Sequence, residues 1–123
     1  MRILNATADT VISEYAEVAE SGFSKALGLM FRKSLPDGSA LLMVFGKEGN
    51  HGIWMPFMRF AIDVIFLDSG KRVVGIHENV RPMGIRPGTW KVYYPDSPAR
   101  YVIETNAGGA RRSRTEAGHK IDF

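Results

Sequence analysis

The sequence predicts a mainly β protein: a single-domain β-sandwich or barrel, jelly-roll-like, with one short α-helix. About seven short apolar or alternating segments are separated by turn residues, a pattern typical of all-β sandwiches and barrels. Only one stretch repeats its apolar residues at the period of a helix. A chain of 123 residues is long enough to bury a sizeable core, so we expect one domain over residues 1–123.

The N-terminal part predicts two strands and then the helix. The strands are predicted at residues 2–6 and 11–18, and the second has no cleanly apolar face, which favours an edge position in a sheet. The helix is predicted at residues 23–33, where apolar side chains recur on one helical face and Ser21 or Ser24 can cap its start. Gly28 weakens this helix by about 1 kcal/mol relative to alanine.

The densest apolar run, residues 53–68, contains the predicted central strand at residues 60–67. Apolar side chains point to both sides of this strand, so it belongs inside a sheet that is covered on both faces. Asp63 is the exception, and because an unpaired buried charge is costly it needs a partner or a place at the mouth of the strand. Pro56 cannot donate to a ladder and predicts an irregular crossing before the strand.

Further strands are predicted where apolar residues recur between turn residues, at residues 40–45, 51–54, 72–80, 90–94, 100–105 and 119–123. Residues 47–50 are expected to join the first two of these strands as a hairpin. Residues 68–70 form a tight connection, in which Gly70 is expected to supply a positive φ. Residues 81–88 hold two prolines and two glycines and predict the longest loop, of the kind that often lines sites. A helical turn is predicted at residues 110–117.

The composition excludes several classes of protein. The absence of cysteine excludes disulfides, thiolate nucleophiles and cysteine-based zinc sites. No apolar run reaches the roughly 18 residues of a transmembrane helix, and the acidic first 24 residues lack the apolar core of a signal peptide. We therefore expect a cytoplasmic protein without membrane contact. Residues 71–91 carry a net charge of +4, which we interpret as a solvated basic face.

The sequence also lacks the common motifs of catalysis and cofactor binding. There is no glycine-rich nucleotide loop, no serine elbow and no histidine spacing typical of a metal site. We therefore predict no cofactor, no metal and no catalytic residue from motifs. The oligomeric state is not specified by any pattern in the chain.

Several short motifs follow one another in a characteristic order. They are G-L-M-F-R at residues 28–32, V-F at 44–45, W-M at 54–55, I-D-V-I-F-L-D at 62–68, V-I-E at 102–104 and A-G at 107–108. In this order and spacing the chain resembles the family called domain of unknown function 192. The resemblance implies a small β-barrel or jelly-roll-like sandwich, and because the family has no established activity it implies no chemistry. Where relatives have a polar run after W-M, this chain has P-F-M at residues 56–58.

The chain suggests one ion pair and one aromatic group as site candidates. We predict that Arg32, at the end of the helix, pairs with Asp63, because a guanidinium matches a carboxylate and makes its burial tolerable. The pair would either pin the helix to the sheet or face a ligand in a cleft. Trp54 is interpreted first as a core residue, with stacking on sugars or bases as the alternative. Of the adjacent Tyr93 and Tyr94, one must face outward if that segment is extended.

These observations favour a small β-rich binding domain over an enzyme. Its cleft would bind a small polar or anionic ligand, such as a saccharide or an anion. The predicted cleft residues are Arg32, Trp54, Met55, Asp63, Arg81, Arg86 and Glu104. One alternative is an enzyme that uses Asp63 and Glu104 as an acid/base pair. The other is a nucleic-acid-associated protein using its basic residues, which we do not favour because no known nucleic-acid motif is present.

Overall fold

The computed structural model describes residues 1–30, 32–54, 58–82 and 91–123, apart from the side chains of Phe23, Ala26 and Leu27. These residues form ten strands and two short helices. In chain order they are β1 (Ile3–Asn5), β2 (Thr10–Ser13), β3 (Tyr15–Ala19), α1 (Gly22–Leu27), β4 (Ser39–Gly49), β5 (Ile53–Trp54), β6 (Ile62–Leu67), β7 (Val73–Val80), β8 (Val92–Tyr93), β9 (Ala99–Asn106), α2 (Gly109–Arg112) and β10 (Ile121–Asp122). The predicted mainly β class is confirmed.

The strands form three sheets. The largest has the order β3-β4-β9-β6-β7, a second has the order β10-β1-β2, and β5 pairs with β8 in a two-stranded ribbon. Only β3 and β4 run parallel among the pairs of the described residues, and all the other pairs are antiparallel. The sheets within the described part of the chain are open, with β3 and β7 at the edges of the largest, so they do not close into a barrel.

The predicted strand at residues 11–18 is divided at Glu14 into β2 and β3, which belong to different sheets. Each lies at the edge of its sheet, as the absence of a cleanly apolar face predicted. The backbone N–H groups of Glu14 and Tyr15 both donate to the carbonyl of Gly38, at 2.9 and 3.1 Å. This contact turns the chain from one sheet into the next.

The central strand β6 is the most deeply buried element of the fold. All six of its residues are buried, and β9 and β7 pair with its two edges. Val64 and Phe66 pack into one hydrophobic cluster, whereas Ile65 and Leu67 pack into a second cluster on the opposite face. The prediction of a strand covered on both faces is therefore confirmed.

The helix α1 is shorter than predicted. Ser21 caps its start, because the Ser21 hydroxyl accepts the backbone N–H of Ser24 at 3.0 Å. The helix ends at Gly28, whose φ of 49° and ψ of −128° leave the helical region, so its predicted extension to residue 33 is wrong. Only glycine adopts such a conformation at low cost. Beyond it Leu29 turns inward and is buried in the core.

Two local turn predictions are also wrong. β4 continues to Gly49, which still pairs with Ala99 of β9, so residues 47–50 do not form a hairpin loop. In the turn at residues 68–70 the positive φ belongs to Lys71 (63°) rather than to Gly70. The Asp68 side chain stabilises this turn, because its Oδ1 accepts the backbone N–H of Arg72 at 3.0 Å.

The remaining predictions agree in position and differ in length. The C-terminal helical turn is α2 and the last strand is β10, each shorter than predicted. Of the predicted loop at residues 81–88, only Arg81 and Pro82 lie within the described residues. No helix in the described part of the chain is long and apolar enough to cross a membrane.

Candidate functional site

A cleft of about 280 Å³ opens between the end of α1, the strands β4 and β9, and β5. Its lining combines apolar and aromatic side chains with one carboxyl group and one ammonium group. The residues that matter for its chemistry are Lys25, Gly28, Met43, Trp54, Met58 and Glu104. A concave, mostly apolar surface with few polar groups is the usual form of a small-molecule site.

A larger hollow of about 620 Å³ lies beside α2, but its chemistry is less specific. Its charged lining consists of Arg111 and Arg114 with Glu78 and Glu116, all four of which are exposed. Exposed charges of both signs are common on protein surfaces, and ion pairs between them contribute little to stability. We therefore take the smaller cleft, which contains a buried ionisable group, as the candidate site.

Glu104 supplies the buried ionisable group of the cleft. It lies on β9, where it pairs with Leu41 of β4 on one side and Val64 of β6 on the other, and only 2% of its surface is exposed. Burial raises the pKa of Glu104 from 4.5 to about 7, and the nearby positive charge of Arg32 opposes this rise. Near neutral pH the carboxyl group is thus present both as an acid that donates a hydrogen bond and as a carboxylate that accepts one.

Gly28 allows the backbone to pass close to Met43 in the lining of the cleft. A Cβ atom at this position would lie 3.2 Å from Met43 Cε and 3.9 Å from Glu104 Oε2. The glycine therefore serves two needs at once, the backbone turn that ends α1 and the close approach to Met43. Gly28 is also the first residue of the motif G-L-M-F-R.

Trp54 lies at the mouth of the cleft on the outer face of the ribbon. In the ribbon Ile53 pairs with Tyr93 and Trp54 pairs with Val92. Ile53 is buried and Tyr93 packs against the core, whereas 57% of Trp54 is exposed. The interpretation of Trp54 as a core residue is therefore wrong, and its ring is available for contact.

Lys25 places a positive charge at the side of the cleft. Its Nζ donates to the carbonyl oxygen of Val44 at 3.0 Å and lies 4.4 Å from the centre of the Phe45 ring. The hydrogen bond and the cation–π contact fix the position of this ammonium group beside α1. Lys25 thus lines the same cleft as Glu104, whereas the positive charge that acts on the Glu104 carboxyl group is that of Arg32.

Asp63 lies outside the cleft and is bound by backbone groups. It is fully buried, with 0% exposure, and it accepts hydrogen bonds from the backbone N–H groups of Asn79, Gly108 and Ala110 at 2.9, 3.1 and 3.0 Å. Gly108 is the N-cap of α2 and has no side chain to cap the helix. Asp63 supplies that cap from a neighbouring strand.

The predicted pair between Arg32 and Asp63 is wrong. Arg32 Nη1 instead lies 2.7 Å from Glu17 Oε2 of β3, in a solvent-exposed pair. Because α1 ends at Gly28, Arg32 is not part of the helix, and its side chain extends toward the edge of the sheet. Among the described residues, three backbone N–H groups satisfy Asp63 and no cation pairs with it.

The predicted site residues thus fall into three groups. Trp54 and Glu104 line the cleft, and Arg32 acts on Glu104 through its charge. Asp63 is a structural anchor, and Arg81 is exposed without being part of the cleft lining. Met55 and Arg86 lie outside the described residues. Sequence reasoning missed Lys25, Met43 and Met58, because no motif marks residues that meet only through the fold.

Comparisons with known proteins show the family of the chain and add no activity. The family model DUF192, described as Uncharacterized ACR, matches residues 3–123. A UPF0127 protein of Pyrococcus horikoshii is 38% identical over 108 residues, which is 86% of this chain and 84% of the relative.

Two solved structures share the fold. A protein of unknown function from Novosphingobium aromaticivorans is similar with a TM-score of 0.86 and 25% identity, over 100% of this chain and 84% of that one. A Sinorhizobium meliloti protein, provisionally assigned as a transcription regulator, is similar with a TM-score of 0.81 and 25% identity, over 98% of this chain and 89% of that one.

Proposed function

The chain belongs to the uncharacterised DUF192 family. From this premise we propose that it is a small binding domain whose cleft binds a saccharide. One observation carries the proposal: the buried carboxyl group of Glu104 lies in the same cleft as the exposed ring of Trp54. A sugar ring has an apolar face that stacks on an aromatic side chain and hydroxyl groups that bond to a carboxyl group.

The charges of the cleft favour a neutral ligand over an anion. An anion would meet the Glu104 carboxyl group, which becomes negatively charged as the pH rises above about 7. The ammonium group of Lys25 is already engaged by a carbonyl oxygen and an aromatic ring. A hydroxyl group suits both protonation states of Glu104, because it accepts a hydrogen bond from the acid and donates one to the carboxylate.

The two alternatives have weaker support. An acid/base pair needs two carboxyl groups that reach the same substrate, and Asp63 is fully buried among backbone groups away from Glu104's cleft. Nucleic acid would bring phosphates toward the Glu104 carboxyl group, which repels them in its charged form.

The test is a titration with glucose and with N-acetylglucosamine. A bound sugar raises the melting temperature by mass action, with roughly 2.7 kcal/mol of stabilisation at a hundredfold excess over Kd. We expect Trp54→Ala and Glu104→Gln each to weaken binding about tenfold. Val18→Ala, which removes an exposed apolar side chain from β3 outside the cleft, is the control and should bind like the wild type.

Two results would overturn the proposal. One is a wild-type melting temperature that neither sugar changes at millimolar concentrations. The other is binding that survives unchanged in both the Trp54 and the Glu104 variants, because the sugar would then occupy another part of the molecule.

A further inference from the structure

An exposed apolar strip continues from the mouth of the cleft along the ribbon of β5 and β8. Because Trp54 pairs with Val92 and side chains alternate along a strand, Gly52 and Tyr94 lie on the same outer face. Trp54, Val92 and Tyr94 are 57%, 40% and 49% exposed. We call these three residues the aromatic strip, and none of them carries a charge.

Gly52 makes the strip flat. A Cβ atom on Gly52 would lie 2.6 Å from Tyr94 Cε1 and 2.6 Å from Val92 Cγ1. The side chains of Tyr94 and Val92 therefore lie over the backbone of Gly52, just before β5, in the space that any larger residue would fill. A flat, exposed ring surface is the form that stacking requires.

Contacts with β7 of the large sheet also support the ribbon that carries the strip. The carbonyl oxygen of Tyr94 lies 2.8 Å from His77 Nε2 of β7, within hydrogen-bond distance. The neighbouring Tyr93 ring packs edge-on against the His77 ring, with 5.2 Å between their centres. These contacts anchor the ribbon to the large sheet, so the backbone that carries Tyr94 is already fixed before a ligand binds.

We infer that the aromatic strip extends the cleft into a groove for an oligosaccharide, in which one sugar unit stacks on Trp54 and the next contacts Tyr94. This inference rests on the proposed function and adds the length of the ligand to it. Trp54 and Tyr94 are diagonal neighbours, which lie about 7–8 Å apart on a two-stranded ribbon, so neighbouring units of one sugar chain can reach both rings. An uncharged strip beside a carboxyl group fits a neutral chain of sugars better than a chain of phosphates.

The test compares chain lengths by isothermal titration calorimetry. The probes are the one-, two- and three-unit members of the β-1,4-linked glucose and N-acetylglucosamine series. We expect the two- and three-unit sugars to bind the wild type roughly two- to tenfold more tightly than the single unit, the range of one added aromatic contact.

One variant removes the added contact and another serves as a matched control. Tyr94→Ala deletes the ring, so it should lose the gain with chain length while single-unit binding stays unchanged. Tyr15→Ala removes a tyrosine that is 72% exposed on β3, away from the ribbon, and it should keep the gain. Equal melting temperatures for wild type and variants show that all of them are folded.

The outcomes separate this inference from the proposed function. If single sugars bind but longer ones bind no better, or if Tyr94→Ala keeps the gain, the groove is refuted and the cleft remains. If no sugar of either series binds, the proposed function fails and the groove fails with it. Tyr94-dependent binding of a single-stranded oligothymidine, without sugar binding, would assign the strip to nucleic acid and refute both.

Discussion

Asp63 joins β6, β7 and α2 through backbone hydrogen bonds, and replacing it with asparagine tests how much stability this junction contributes. Its Oδ1 accepts the N–H of Asn79, and its Oδ2 accepts the N–H groups of Gly108 and Ala110. An asparagine amide has only one accepting oxygen. Its best orientation keeps that oxygen at the position of Oδ2, so the two bonds at α2 remain and the bond to Asn79 is lost.

The magnitude follows from the one bond lost and the charge removed. A hydrogen bond to a charged group contributes about 1.5–3 kcal/mol, so Asp63→Asn should lower the free energy of unfolding by roughly 2 kcal/mol. Asp63→Ala leaves three N–H donors without their acceptor and should lower it by roughly 4 kcal/mol. These are large fractions of the 5–15 kcal/mol that typically stabilises a domain.

The assay is urea unfolding followed by tryptophan fluorescence and circular dichroism. Asp37→Asn is the matched control, because Asp37 is exposed in the turn before β4 and its replacement should change little. An unfolding free energy of Asp63→Asn within roughly 0.5 kcal/mol of the wild type, the range of ordinary surface substitutions, would refute this role of Asp63.

Three further predictions concern the cleft and the buried polar groups. Because burial raises the pKa of Glu104 from 4.5 to about 7, the wild type should lose stability relative to Glu104→Gln as the pH rises through this window. The difference should be near zero at about pH 4 and roughly 3 kcal/mol at about pH 8, measured by urea unfolding, and an equal difference at both would contradict it. Gly28→Ala should lower the free energy of unfolding by roughly 1–3 kcal/mol, measured by thermal melting, because φ is positive at this residue. Gly22→Ala is the control and should leave the free energy of unfolding unchanged, because no atom lies within 4 Å of its added Cβ. Asn5→Ala removes a fully buried side chain with three hydrogen-bond contacts and should lower the unfolding free energy by roughly 2 kcal/mol; a wild-type midpoint would show that they contribute nothing.

The parts of the fold that the sequence predicted are those that depend on local pattern. The central strand could be predicted because an apolar run without a polar face has few other stable places. Strand pairing could not be predicted in the same way. Gly49 looks like a turn residue in the sequence, but it pairs with Ala99, about 50 positions away, and β5 pairs with β8 rather than with its neighbour β4. Turn chemistry is local, whereas the choice of partner is decided by the packing of the whole sheet.

The site was predicted in part for a similar reason. Glu104 and Trp54 were recognised as candidates by residue type, and they do line one cleft. The pairing of Arg32 with Asp63 was inferred from opposite charges, but the partners of Asp63 are backbone N–H groups, which no sequence pattern displays. Gly28 was recognised as a weak point of the helix, although its backbone conformation and its close approach to Met43 depend on the folded chain.

β6 is protected from aggregation only while its neighbouring strands cover it. Its sequence, I-D-V-I-F-L, combines β-branched and aromatic residues without proline or glycine, which is the composition of segments that stack into cross-β fibrils. In the native protein β7 and β9 occupy both of its edges, so another chain cannot pair with it. In the unfolded chain Asp63 places a charge inside this segment, and the repulsion between stacked copies opposes aggregation. One aspartate thus anchors the native backbone and guards the unfolded chain.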